Sequence, residues 1–153
     1  MLRSIEILFR RILDEDKPQK LASHDIEIAS AALLVNCSRV DGNQSLEESK
    51  YLRSVLGKYF NLSNEEIESV VECAEALERD AIDLHRFTRV LHYNMDRDSR
   101  IQMIQMLWEM ANSDGHIDHD ERQMISLTAQ LLEVELHDVV STRQAAQAKR
   151  NRT

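Results

Sequence analysis

Three glycines and one proline in 153 residues are too few to punctuate a β-sandwich or a series of βαβ units, both of which need many turns. Aromatic residues make up only 5% of the chain, and its two cysteines, Cys37 and Cys73, stand in no metal-ligand or redox spacing. Two buried thiols in a reducing compartment are expected. No apolar stretch approaches the roughly 20 residues that a membrane-spanning helix needs. No small-residue cleavage site follows an apolar segment at the N-terminus, so a cytoplasmic chain is expected. What remains is a chain that is 42% hydrophobic and 30% charged, long enough for one compact core.

The net charge of −8 is unevenly spread. Residues 1–20 carry five Lys/Arg and four Asp/Glu, and residues 142–153 four Lys/Arg and no acid. The remaining ten bases and 23 acids fall to residues 21–141, a balance of −13. That body repels nucleic-acid phosphates and favours cations or basic partners. Charge and linker composition divide the chain into an N-terminal amphipathic helix and linker (1–20), a helical domain (21–141) and a basic C-terminal tail (142–153).

Apolar spacings of three and four predict helices throughout. Leu2, Ile5, Leu8, Phe9 and Ile12 share one face of a first helix, with Arg3, Arg10 and Arg11 between them. Such a face either docks onto its own domain, the preferred reading, or makes a peripheral contact with anionic lipid. The run from Ile28 to Val35 is apolar on more than a stripe, as in a central helix. Tyr51, Leu52, Val55, Leu56 and Tyr59 mark the next helix, and Ser63-x-x-Glu66 is a capping box that starts another, with Ile67, Val70, Val71, Ala74 and Leu77 inward. A short helix follows from Asp83 to Asn94, on which His85 and His92 share a face expected to be partly buried. Asp96 is the natural N-cap of the helix carrying Ile101, Ile104, Leu107, Trp108 and Ala111. Met103, Met106 and Met110 follow the same spacing and read as packing. The expected fold is all-α, seven to eight helices in a bundle.

Two of these helices end in Asp-Gly, and the coincidence extends well beyond the pair. At an offset of 73 residues, the segment Val40 to Glu48 lies over Ser113 to Glu121, Ile28 over Ile101, Leu34 over Leu107, Cys37 over Met110 and Tyr51-Leu52 over Met124-Ile125. One helix-turn-helix unit therefore occurs twice. Two such pairs are expected to pack about an approximate two-fold axis, with the helices near 64–79 and 83–94 crossing between them.

These segments resemble the TerB family of bacterial tellurite-resistance proteins. The stretches that carry the resemblance are Asp41-Gly42 with Glu48, Phe60-Asn61-Leu62-Ser63-Asn64-Glu65-Glu66, Asp83-Leu84 through Phe87-Thr88-Arg89 to Leu91, and Ala111 through Asp114-Gly115, Ile117-Asp118 and Glu121. They occur in the family order over about residues 25–140. The chain is also similar to the cytoplasmic helical domains of some membrane-anchored DnaJ-like co-chaperones. The resemblance implies an all-helical fold, a connection with tellurite and related stress, and no catalytic activity. Gln44 replaces an aliphatic residue of the family pattern, Ser45 stands where the second repeat has Asp118, and Glu133 and Glu135 replace a small Gly and Ser before the last helix.

Each repeat sets Asp, Gly and, six residues past the Gly, Glu: the second half of an EF-hand calcium loop. The first half is missing, since Cys37 and Met110 stand where the opening Asp belongs. Asp41, Glu48, Asp114, Asp118 and Glu121 can still pool hard oxygens around a divalent cation, calcium, magnesium or manganese before zinc. The competing reading is that Ser45-x-x-Glu48 and Asp118-x-x-Glu121 are capping boxes that need no metal. His116 and His119, three apart in a polar loop, read as solvated. The Asp-Gly turns are expected to place Gly42 and Gly115 at positive φ. No nucleophile has a local signature, no Gly-rich phosphate loop occurs, and no basic patch is interleaved with aromatics. The chain is expected to be a non-catalytic module that binds a protein partner and no nucleic acid, in tellurite or stress resistance. A plain helical scaffold with capping acids is the alternative, and a metal-dependent hydrolase ranks last.

Overall fold

A computed structural model describes residues 2–14, 17–38, 46–79, 84–113 and 117–151. Eight helices appear among the described residues: α1 (Leu2–Asp14), α2 (Ser23–Ser38), α3 (Leu46–Lys58), α4 (Asn64–Arg79), α5 (Leu84–Asn94), α6 (Arg97–Ala111), α7 (His119–Leu131) and α8 (Leu136–Asn151). The described residues contain no strand, so the chain is an all-α bundle. Gly42 and Gly115, expected at positive φ, lie outside the described residues.

The centre of the bundle is α2, which packs on α1, α3, α4, α5, α6 and α7. Every residue from Ile28 to Val35 is buried, and three of them are alanines and one a serine, small enough for neighbours to approach on all sides. The second buried helix, α6, makes its most extensive contact with α8 and also packs on α2, α3 and α7. Met103, Ile104, Met106, Leu107, Trp108 and Met110 are all buried there, so the methionines fill the core as their spacing predicted.

The first helix folds back onto the bundle. Ile5, Leu8, Phe9 and Ile12 are buried against α4 and α5, and Phe9 meets Phe87 edge to face, with ring centroids 5.7 Å apart. Arg86 donates to the Leu13 carbonyl at the end of α1. Asn94 then holds the following segment: its Oδ1 accepts from the Leu21 amide at 2.8 Å, and its Nδ2 donates to the Gln19 carbonyl at 2.8 Å.

Capping explains where the helices start and stop. Ser63 and Glu66 form the full capping box: the Ser63 amide donates to Glu66 Oε1 at 3.1 Å and the Glu66 amide to Ser63 Oγ at 3.2 Å. Asp96 Oδ1 accepts from the Ser99 amide at 2.8 Å, at the start of α6. At the end of α7 the Val134 amide donates to Ala129 O at 2.9 Å and the Glu133 amide to Gln130 O at 3.1 Å, the Schellman pattern. That pattern puts Glu133 at φ 56°, the left-handed position where the family pattern has a small residue. Glu133 compensates by accepting from His92 Nε2 at 2.7 Å, which ties the end of α7 to α5.

Two side chains differ from expectation. His85 is exposed, because Phe87, Val90 and Leu91 occupy the inner face of α5, whereas His92 on the same face is half-buried as expected. Tyr59 is exposed because α3 ends at Lys58, and Phe60, one residue on, takes the buried place instead. The boundary drawn by charge at residue 141 falls inside α8, whose Thr142 and Ala146 are buried against α6.

Candidate functional site

Of the five acids singled out in the sequence, Asp41 and Asp114 lie outside the described residues. Glu48 falls in the first turn of α3, with its side chain outside the described atoms. Asp118 and Glu121 are described in full. Asp118 is the N-cap of α7: its backbone is extended, and its Oδ1 accepts from the Glu121 amide at 2.9 Å. Glu121 is buried, with 7% of its surface exposed, an unusual setting for a carboxylate. His119 is exposed, and its partner in the His-x-x-His pattern, His116, lies outside the described residues.

A second arrangement lies immediately before the Asp114-Gly115 turn. The last carbonyls of α6 have no partners within the helix. Arg150, from the last turn of α8, donates to the Asn112 carbonyl at 2.7 Å and to the Ser113 carbonyl at 3.1 Å, placing a cation at the negative end of the helix. One turn back, Glu109 gathers donors from three directions. Tyr51 Oη of α3 donates to it at 2.7 Å, Gln105 Nε2 at 3.3 Å, and Lys149 Nζ of α8 lies 3.3 Å away. Burial and the bond to Glu109 raise the ionisation of the Tyr51 phenol far above its usual range, so it remains a donor.

Between these groups opens a cleft of about 390 Å³, bounded by α3, the end of α6 and α8. Lys50, Tyr51, Asn112, Ala146 and Lys149 are among its lining residues. Sequence reasoning did not find it. Its components come from three helices, and by composition Lys149 and Arg150 read as part of a basic tail. The available signal was Glu109, the single acid among the apolar residues of the second half of α6.

Cys37 is buried with its Sγ 3.7 Å from Thr128 Oγ1, and burial, only partly offset by that contact, pushes the thiol up to about 12. Trp108 is buried beneath the Arg143 guanidinium, 5.2 Å from the ring centroid. Glu135, His137 and Asp138 cluster at the start of α8, where Asp138 also pairs with Arg97 at 3.0 Å.

Among known families, the model described as Tellurite resistance protein TerB matches residues 27–144, from the first turns of α2 into α8. No curated protein and no solved structure matches the chain. No helix among the described residues is long and apolar enough to cross a membrane.

Proposed function

The chain belongs to the tellurite resistance protein TerB family, and from that premise we propose that it is a non-catalytic module that binds a protein partner in bacterial tellurite and stress resistance. It acts in the cytoplasm and does not bind nucleic acid, in keeping with the acidic balance of its body. The observation that carries the reading is an apolar pair on α8: Leu136 and Val140, one turn apart, are 78% and 47% exposed. A helix that otherwise packs its small residues on α6 has no internal use for them. Affinity capture from tellurite-stressed bacteria tests this. A partner retained by the wild type and lost with Leu136→Glu/Val140→Glu supports it; the same proteins captured by both would sink it.

The proposal includes a weak divalent-cation site that pools Asp41, Glu48, Asp114, Asp118 and Glu121. The buried position of Glu121 supports it, and the all-oxygen set suits calcium, magnesium or manganese. A bound ion would raise stability by RT ln(1 + [L]/Kd), about 2.7 kcal/mol at a hundredfold excess over Kd. The melting temperature should then rise with one of the three ions, and Asp114→Asn should abolish the rise. No shift at millimolar concentration of any of them would leave the second reading, a scaffold whose acids only cap helices. The Asp118 bond to the Glu121 amide favours that second reading. For a peripheral membrane contact, α1 would have to use its outer face, where Ile7, Arg10 and Arg11 are exposed.

A further inference from the structure

Asn112 closes α6 and lines the cleft between α3, α6 and α8, yet it is only 8% exposed and its Nδ2 has no acceptor. A buried amide donor without a partner is costly and uncommon in folded proteins. Two of the polar groups around it are committed. Glu109 already receives Tyr51, Gln105 and Lys149, and Arg150 is held on the Asn112 and Ser113 carbonyls. Apart from the exposed Glu47 carboxylate, the spare capacity of the cleft is in donors: both hydrogens of Asn112 Nδ2, the remaining N–H groups of Lys149, and the exposed Lys50.

We propose that this cleft binds a small organic monocarboxylate, with one carboxylate oxygen accepting from Asn112 Nδ2 and the charge facing Lys149. The Tyr51 ring and Ala146 offer apolar wall to the body of such a ligand, and about 390 Å³ is in the range of small-molecule sites. Charge narrows the choice further. Glu47 and Glu109 also line the cleft, which disfavours a dianion such as phosphate, while a cation would leave the Asn112 donor unanswered. A free carboxylic acid and the C-terminal carboxylate of a peptide share the required chemistry.

The test is an NMR titration of the full ¹⁵N-labelled chain at constant ionic strength. The probes are butanoate, benzoate, a short peptide with a free C-terminal leucine, and as controls benzamide, the amidated peptide and sodium chloride. Saturable movement of the Asn112 side-chain amide signals with a carboxylate, and none with its neutral counterpart or with chloride, is the expected result. Response to the small acids alone identifies a free metabolite-like ligand, and response to the peptide alone a chain terminus. Asn112→Ala should weaken binding by about tenfold, the value of a hydrogen bond to a charged group. Should that variant fail to fold, Lys149→Gln, at an exposed position, should weaken binding severalfold in a folded chain. Absence of saturable shifts at Asn112 with every carboxylate, equal shifts with benzamide or chloride, or wild-type binding by a folded Asn112→Ala would overturn the proposal. None of these outcomes bears on the cation reading, and loss of carboxylate binding leaves the partner reading at Leu136 and Val140 to its own capture test.

Discussion

The contribution of α1 is the sharpest test of how this chain is held together, because the helix lies outside the segment that matches the family and yet supplies four core side chains. Phe9 is the largest of them, 4% exposed and in edge-to-face contact with Phe87 of α5. Truncating a buried Phe to Ala costs about 3–5 kcal/mol, of which the aromatic pair accounts for about 0.5–1.5 kcal/mol. At about 2–4 °C per kcal/mol for a chain of this size, Phe9→Ala should lower the melting temperature by roughly 6–20 °C. Thermal unfolding followed by circular dichroism measures that fall. Hydrogen exchange locates it: amides of residues 5–14 should lose protection in the variant while those of α6 keep theirs. A fall of less than about 2 °C, equivalent to under about 1 kcal/mol, with exchange in α1 unchanged, would refute the docking argument.

Three further outcomes follow from single contacts. His24 Nε2 lies 2.5 Å from Glu66 Oε2, linking α2 to the capping box of α4. The bond to Glu66 raises the histidine pKa, and although burial pushes Glu66 up, its bonds with His24 and Ser63 win and lower it. The histidine contribution is full below its unfolded pKa and lost as pH rises through the folded value; that of Glu66 is lost as pH falls through its own. The stability gap between wild type and His24→Gln should therefore peak near about pH 5–6, between the ordinary carboxylate and histidine values, and close as pH rises through the raised histidine pKa, staying under about 1 kcal/mol because the pair is solvent-screened. Glu133→Gly should stabilise the chain by about 0.5–1 kcal/mol in urea unfolding, since relief of the left-handed backbone exceeds the added freedom of the unfolded chain; a destabilised variant would show that the His92 bond outweighs the strain. In a Cys73→Ser background Cys37 should resist a thiol reagent such as DTNB at pH 8 in the folded state and react at once in denaturant, and rapid native labelling would contradict its burial.

The helices themselves were legible in the order of residues because each rule involved is local. Apolar spacing marked Ile5, Leu8, Phe9 and Ile12 as one face, the unbroken apolar run from Ile28 to Val35 marked a central helix, and Ser63-x-x-Glu66 and Asp96 announced helix starts that are capped as the pattern requires. Periodicity and capping act within a turn or two of helix, so neither depends on what lies across the core. Tertiary structure decided whatever depends on which helices meet. Composition cannot distinguish a basic tail from the second half of α8, because Arg150 becomes a helix cap only once α8 lies along α6. Spacing cannot tell that His85 is exposed while His92 on the same face is half-buried, because Phe87, Val90 and Leu91 claim the core side of α5 by burying more apolar surface. The cleft at Asn112 joins positions 51, 109, 112 and 149, and such distant partners are brought within hydrogen-bonding reach by packing alone.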